Sequence, residues 1–182
     1  MKPVAGRRGY FAIGAERISK PMNLGAILRT AHAFGASFAF TIKAHHNVLD
    51  MEMADTSRSS GHLPLYHYGS ATELRLPEQC TLVGIELTEE AIDLPSFRHP
   101  RNAAYLLGPE DGSISPELQE QCEFVVRIPT RFCINLGLAA ALVMYDRSLS
   151  LDGWPPRPIV PGGPELGPAK SWPSYFQSDP SR

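Results

Sequence analysis

From Leu136 to Tyr145 the chain offers almost no polar face. Leu136, Leu138, Ala139, Ala140, Ala141, Leu142, Val143 and Met144 cover every side of a helix. A helix that is apolar all round is buried on all sides. A sheet covers only one of those sides, so the others must meet another helix or a second subunit. The pattern leaves two readings: a core helix in a monomer, or a dimer formed through this helix. The second is favoured, because a domain of this size has few helices to offer. Ten apolar residues are too few to span a bilayer, so no membrane partner is expected.

The residues ahead of that helix form a regular series. Ala104–Leu107 reads as a strand, and Gly108-Pro109-Glu110-Asp111-Gly112 as a turn. Ser115–Cys122 reads as a helix, Phe124–Pro129 as a strand, and Thr130–Asn135 as a loop. Gly108 and Gly112 permit close approach of backbone to a ligand. Pro109 and Pro129 end the strands. Upstream, strands are expected at Tyr10–Gly14, Ser37–Ile42, Pro64–Tyr68 and Thr81–Leu87, with helices at Leu24–Phe34 and Ser70–Leu74. Asn23 is the expected N-cap of the first helix and Gly35 its C′ residue. His45–Gly61 reads as partly helical and Glu89–His99 as a loop. The alternation argues for a parallel α/β sheet, with the strand at Thr81–Leu87 central because it is apolar on both faces. Ligands of such sheets lie beyond the carboxyl ends of the strands.

With 182 residues, 43% hydrophobic, the chain supports one cored domain, placed at residues 1–150. After Asp152 come Pro155, Pro156, Pro158, Pro161, Gly162, Gly163 and Pro164. Residues 151–182 therefore read as an extended or disordered tail. A net charge of −2 excludes a globally basic coat. The basic residues nonetheless gather early, at Lys2, Arg7, Arg8, Arg17, Lys20, Arg29, Lys43 and Arg58. That is either a face for phosphates or a patchy solvated surface. Cys80, Cys122 and Cys133 are odd in number and form no C-x-x-C. They argue against a disulfide framework or zinc and fit a reducing cytosol. The basic start is followed by no apolar targeting segment, so a cytoplasmic protein is expected.

Single residues keep two readings each. The turn at 108–112 is an anion nest or an ordinary turn, and neither the dinucleotide nor the P-loop fingerprint occurs. Arg29 is a snorkelling surface arginine or a guanidinium aimed at phosphate. Asn135 is an N-cap, a ligand-facing amide, or both. Cys133 is expected to be a buried, inert thiol. His45-His46 lacks metal-ligand spacing, and no metal is expected.

The combination is more specific than its parts. Asn23-x-Gly25-x-x-x-Arg29-Thr30-Ala31-x-Ala33-Phe34-Gly35 comes first. Leu107-Gly108-Pro109-Glu110-x-Gly112-x-Ile114-Ser115 follows. Ile128-Pro129 with Cys133-Ile134-Asn135-Leu136-Gly137-Leu138-Ala139 is last. In this order they resemble the three motifs of the SpoU/TrmH family of SPOUT RNA methyltransferases, over residues 10–147. The resemblance implies a mostly parallel α/β sheet with helices on both faces and a C-terminal trefoil knot. It implies S-adenosylmethionine as methyl donor, with S-adenosylhomocysteine as product. It also implies a homodimer through the knot and helix 136–145, and methylation of a ribose 2′-OH of RNA, tRNA favoured over rRNA. By position, Ile85, Gly108, Ile128, Cys133 and Ile134 should line the donor pocket, while Arg29, Asn23, Glu110 and Asn135 match the catalytic positions.

The implied transfer is an in-line displacement that needs positioning rather than a metal. Arg29 would hold a phosphate and polarise the hydroxyl; a guanidinium does not give up its proton in proteins and is a poor base. Glu110 would neutralise a nearby cation or orient Arg29 across the dimer. Two departures stand out. Cys133 replaces the family's usual serine, and only Thr130-Arg131-Phe132 separates it from Pro129. With no separate RNA-binding domain in sight, Arg7, Arg8, Arg17, Lys20, Arg58 and Arg131 are the candidates for phosphate contacts. The rival readings are a non-catalytic RNA-binding knotted dimer and a methyltransferase acting on a base nitrogen.

Overall fold

Strand β6 (Ala103–Leu107) shows how the sheet is built. Its five residues are all buried. Ala103, Tyr105 and Leu107 join one apolar cluster, and Ala104 and Leu106 join the other. Side chains of a strand alternate between faces, so a strand buried on both must be covered twice. The computed structural model describes residues 9–54, 63–151 and 161–162. It contains β1 (Phe11–Glu16), α1 (Pro21–Ala33), β2 (Phe38–Ile42), α2 (His46–Ala54), β3 (Leu65–Tyr68), β4 (Thr81–Ile85), β5 (Ile92–Asp93), β6, α3 (Pro116–Gln119), β7 (Phe124–Arg127) and α4 (Leu136–Leu151). Short 3₁₀ turns lie at Ala71–Glu73 and Leu94–Ser96.

The strands form one sheet in the order β3-β2-β1-β6-β4-β7-β5, and every ladder in it is parallel. Strand β4 is interior, as its two apolar faces require. On one face α1 brings Leu24, Ile27 and Ala31, and α4 brings Ala140, Val143 and Met144. On the other, Ala71 and Leu74 of the 3₁₀ turn region, Ile114 and Leu118 cover Ala12, Phe40 and Leu106. Helices α1 and α4 lie against each other. A Cβ on Gly137 would stand 3.1 Å from that of Ala26, so the glycine sets how closely they approach.

Three expectations are corrected. Asn23 is not an N-cap: α1 begins at Pro21, and Lys20 takes the cap position without a side-chain cap bond. Proline suits the first helical position because its missing N–H is not needed there. The loop expected at Glu89–His99 contains edge strand β5 and a 3₁₀ turn; a two-residue strand carries no periodic signal. Helix α4 continues to Leu151, past the end of the apolar run. Asp146 and Arg147 there are paired within the protein. Buried Arg147 donates to the carbonyls of Pro100 (2.6 Å), Arg101 (2.6 Å) and Tyr10 (3.3 Å) and to the Tyr105 hydroxyl (3.2 Å). His99 bridges the Tyr105 hydroxyl (2.6 Å) and Asp146 (2.9 Å). The proline/glycine tail, apart from Pro161 and Gly162, lies outside the described residues.

Candidate active site

Three strands end side by side and their loops enclose one cavity of about 240 Å³. Strand β4 contributes Ile85, Glu86 and Leu87, and β6 contributes Leu107, Gly108, Pro109, Glu110 and Gly112. The segment after β7 adds Ile128, Thr130, Cys133, Ile134 and Asn135, then Leu136 and Ala139 of α4. Lys20 and Asn23, at the start of α1, close the remaining side. The cavity thus lies beyond the carboxyl ends of the strands, where an open parallel sheet places its ligand.

A chain of hydrogen bonds joins the three motifs. Asn135 Oδ1 accepts from Gly137 N (2.9 Å) at the start of α4, so this residue caps the helix. Its Nδ2 donates to Asn23 Oδ1 (3.0 Å), and Asn23 Nδ2 donates to Glu110 Oε1 (3.0 Å). Glu110 also accepts from Lys20 N (3.2 Å) and from both the backbone and the hydroxyl of Ser19 (3.0 Å each). This carboxylate therefore fixes the backbone at the cap residue of α1 and just before it. Its negative charge also suits the helix N-terminus. Burial pushes the Glu110 carboxyl up. The bonds from Asn23 and Ser19 outweigh that, and the net effect holds it below the ordinary carboxylate range.

The 108–115 loop is tied down from beneath by two acids that sequence reasoning missed. Glu86 accepts from Ile114 N (2.9 Å) and Leu87 N (3.1 Å), and buried Glu16 accepts from Ser115 N (2.8 Å). A Cβ on Gly108 would come within 3.2 Å of Glu86 Oε2 and 3.3 Å of Ile114, so a side chain there would crowd this packing. Gly112 turns the loop at φ +108°, a region that other residues rarely adopt. The signal was an acid closing an apolar strand, as in Ala12-Ile13-Gly14-Ala15-Glu16 and Leu82-Val83-Gly84-Ile85-Glu86.

The expected site residues divide clearly. Ile85, Gly108, Ile128, Cys133, Ile134, Asn23, Glu110, Asn135 and Lys20 all line the cavity. Arg29 does not. It stands on the exposed side of α1, nearly two turns past Asn23. Cys133 is exposed rather than buried, a correction caused by its place at the cavity mouth. The Thr130 hydroxyl donates to Phe132 O (2.9 Å) and approaches Ile128 O (3.3 Å), so it braces its own loop. Arg17 Nη2 donates to Ser113 O (2.7 Å) and its Nε lies 3.6 Å from Glu16, which ties this guanidinium to the loop. Arg131 is exposed beside the cavity. Arg7, Arg8 and Arg58 lie outside the described residues.

Residues 10–145 match the model of the SpoU rRNA methylase family. The chain belongs to that family. A mouse tRNA (guanosine(18)-2′-O)-methyltransferase is 30% identical over 141 residues, covering 72% of this chain and 9% of that protein. An AdoMet-bound rRNA methyltransferase from Sinorhizobium meliloti superposes with TM-score 0.66 at 21% identity, covering 78% of this chain and 57% of that one. A structure described as giving insight into 2′-OH methylation of C/U34 on tRNA superposes with TM-score 0.67 at 20% identity. It covers 81% of this chain and 99% of that one. These likenesses show that the SpoU fold is shared. The chain spans less than two thirds of the length of the curated relatives it matches. Among the described residues, no helix is long and apolar enough to cross a membrane.

Proposed function

We propose that this SpoU-family chain is an S-adenosylmethionine-dependent RNA 2′-O-methyltransferase, with tRNA as the favoured acceptor, acting as a homodimer. The observation that carries this reading is the hydrogen-bonded line Asn135–Asn23–Glu110, which runs along the wall of the cavity at the strand ends. The cavity suits the donor. Its lining offers aliphatic side chains for an adenine ring and polar groups for an amino-acid tail. When bound, the donor supplies an electrophilic methyl group on sulfur. The chain's own part is to fix the donor's position and to bring a ribose hydroxyl into line with it. The acceptor preference rests on the mouse relative's name and on the single-domain match to the C/U34 structure.

The dimer is supported by the outer face of α4. Leu138, Leu142 and Tyr145 are 60%, 43% and 49% exposed at i, i+4 and i+7. Phe132 is 74% and Met22 82% exposed. Such a stripe marks an interaction surface. Arg29 lies on the exposed side of α1, the helix packed against α4, and outside the lining of its own protomer's cavity. In this reading Arg29 holds the acceptor's phosphate and polarises its 2′-hydroxyl from the partner protomer. Threading of the C-terminal segment into a trefoil knot belongs to the same reading. Glu110, with its carboxylate already accepting four hydrogen bonds and its proton affinity lowered, serves to position rather than to take the proton.

Calorimetry with S-adenosylmethionine, followed by methyl transfer to total tRNA, tests the proposal. The expected product resists alkaline cleavage at one nucleotide. Donor binding with no transfer to any RNA would instead favour a non-catalytic RNA-binding dimer. A product that stays alkali-sensitive would favour a base nitrogen.

A further inference from the structure

We infer that Lys20 anchors the α-carboxylate of the donor's amino-acid tail, so that the cavity selects donors carrying that group. This rests on the reading of the cavity as the donor site. Beside Glu86, Thr130 and Cys133, its lining holds two groups. Ile85, Leu107, Ile128, Ile134 and Leu136 are aliphatic, and Lys20, Asn23, Glu110 and Asn135, joined by hydrogen bonds, form a polar wall. A nucleoside with a zwitterionic tail lies with its base on the first and its tail on the second, because an unpaired charge against aliphatic carbon is heavily penalised.

On the polar wall nearly every group already has a partner. Asn23 and Asn135 use their amides on each other, on Glu110 and on Gly137 N. The Glu110 carboxylate receives four donors. The exception is the Lys20 ammonium. Among the described residues no carboxylate lies within 4.0 Å of it, and it is the one cation lining the cavity.

The other ionisable groups facing that space include Glu86 and Glu110, both acids that would repel a ligand carboxylate. Lys20 offsets them. Its root is also fixed: its backbone N–H donates to Glu110 Oε1, and Pro21 restricts the next φ. A flexible four-carbon stem on a fixed root can place a point charge at the cavity mouth without disturbing the wall. An RNA phosphate shares the same anionic chemistry, so the test must separate the two anions.

The test compares S-adenosylmethionine with its decarboxylated analogue by calorimetry at low salt, on wild-type protein, Lys20→Met and Lys20→Arg. Methionine keeps the length and apolar stem without the charge. Loss of a charge-assisted contact should weaken S-adenosylmethionine about tenfold in Lys20→Met, leave the analogue within about twofold, and be largely restored in Lys20→Arg. Lys20→Met that binds S-adenosylmethionine as wild type does would overturn the inference. So would unchanged donor binding with a raised KM for tRNA, which assigns the lysine to an RNA phosphate. Wild-type protein that binds neither compound would remove the donor-site reading itself.

Discussion

Glu110 illustrates how one side chain can tie together a distant loop and a helix start through hydrogen bonds. It lies about 90 residues from the loop it holds, yet its two oxygens satisfy Ser19, Lys20 and Asn23 together. Replacing it by glutamine presents an amide N–H₂ to a donor and removes a charge from the start of α1. The expected loss is about 2 kcal/mol of stability, read by denaturant unfolding at pH 7, with weaker donor binding beside it. The folded-state pKa is depressed. The carboxylate's contribution is therefore present above the ordinary carboxylate value and lost as the pH falls through the folded one. Glu110→Gln should lack that part of the acid limb. Arg29→Ala should behave oppositely. Fold and donor affinity stay near wild type, because the residue is exposed and away from the cavity, while transfer falls by at least about a hundredfold. Near-wild-type turnover in that variant removes Arg29 from the mechanism.

At the scale of the element, the far end of α4 is a polar clasp inside an apolar layer. Arg147 sits 5.1 Å from the centre of the Phe11 ring and donates to three backbone carbonyls, so it welds α4 to the loops that lead into β1 and β6. Burial pushes the Tyr105 hydroxyl up to about 12, which keeps it protonated in the network. Burial also pushes His99 down. The hydrogen bond to Asp146 raises it again by less, so the folded-state value stays below the ordinary one. A histidine depressed in the folded state stabilises fully above its unfolded pKa of about 6.5 and loses that contribution as the pH falls toward the folded value. The unfolding temperature should therefore drop between pH 7 and pH 5, and drop less in His99→Gln. Equal slopes in the two proteins would show that His99 is not the group responsible. The apolar run predicts the helix only to Tyr145, because a buried arginine looks like a surface residue until its partners are known.

The whole molecule presents a further constraint. One sheet buries the inner side of α4, but Leu138, Leu142 and Tyr145 remain on the outside. A charge placed in the middle of such a patch opposes association through desolvation. Leu138→Glu should sediment as a monomer, unfold at a temperature that no longer rises with protein concentration, and lose methyl transfer if Arg29 acts across the interface. A monomer with full activity would break that link.

The sequence by itself marked every strand but the two-residue β5, and the apolar character of α4. It also determined which glycines, prolines and amides stood at the ends of β6 and β7. Those are local properties, set by backbone sterics and side-chain type, and they were enough to mark the loops that line the cavity. Other features depended on tertiary structure alone. That Asn23 is a link to Glu110 and Asn135 rather than a cap, and that Glu16 and Glu86 hold the 108–115 loop, follows from strand order. So do the exposure of Cys133 and the burial of Arg147. Each needs groups from distant parts of the chain, and a hydrogen bond between them carries no periodicity for a sequence to display.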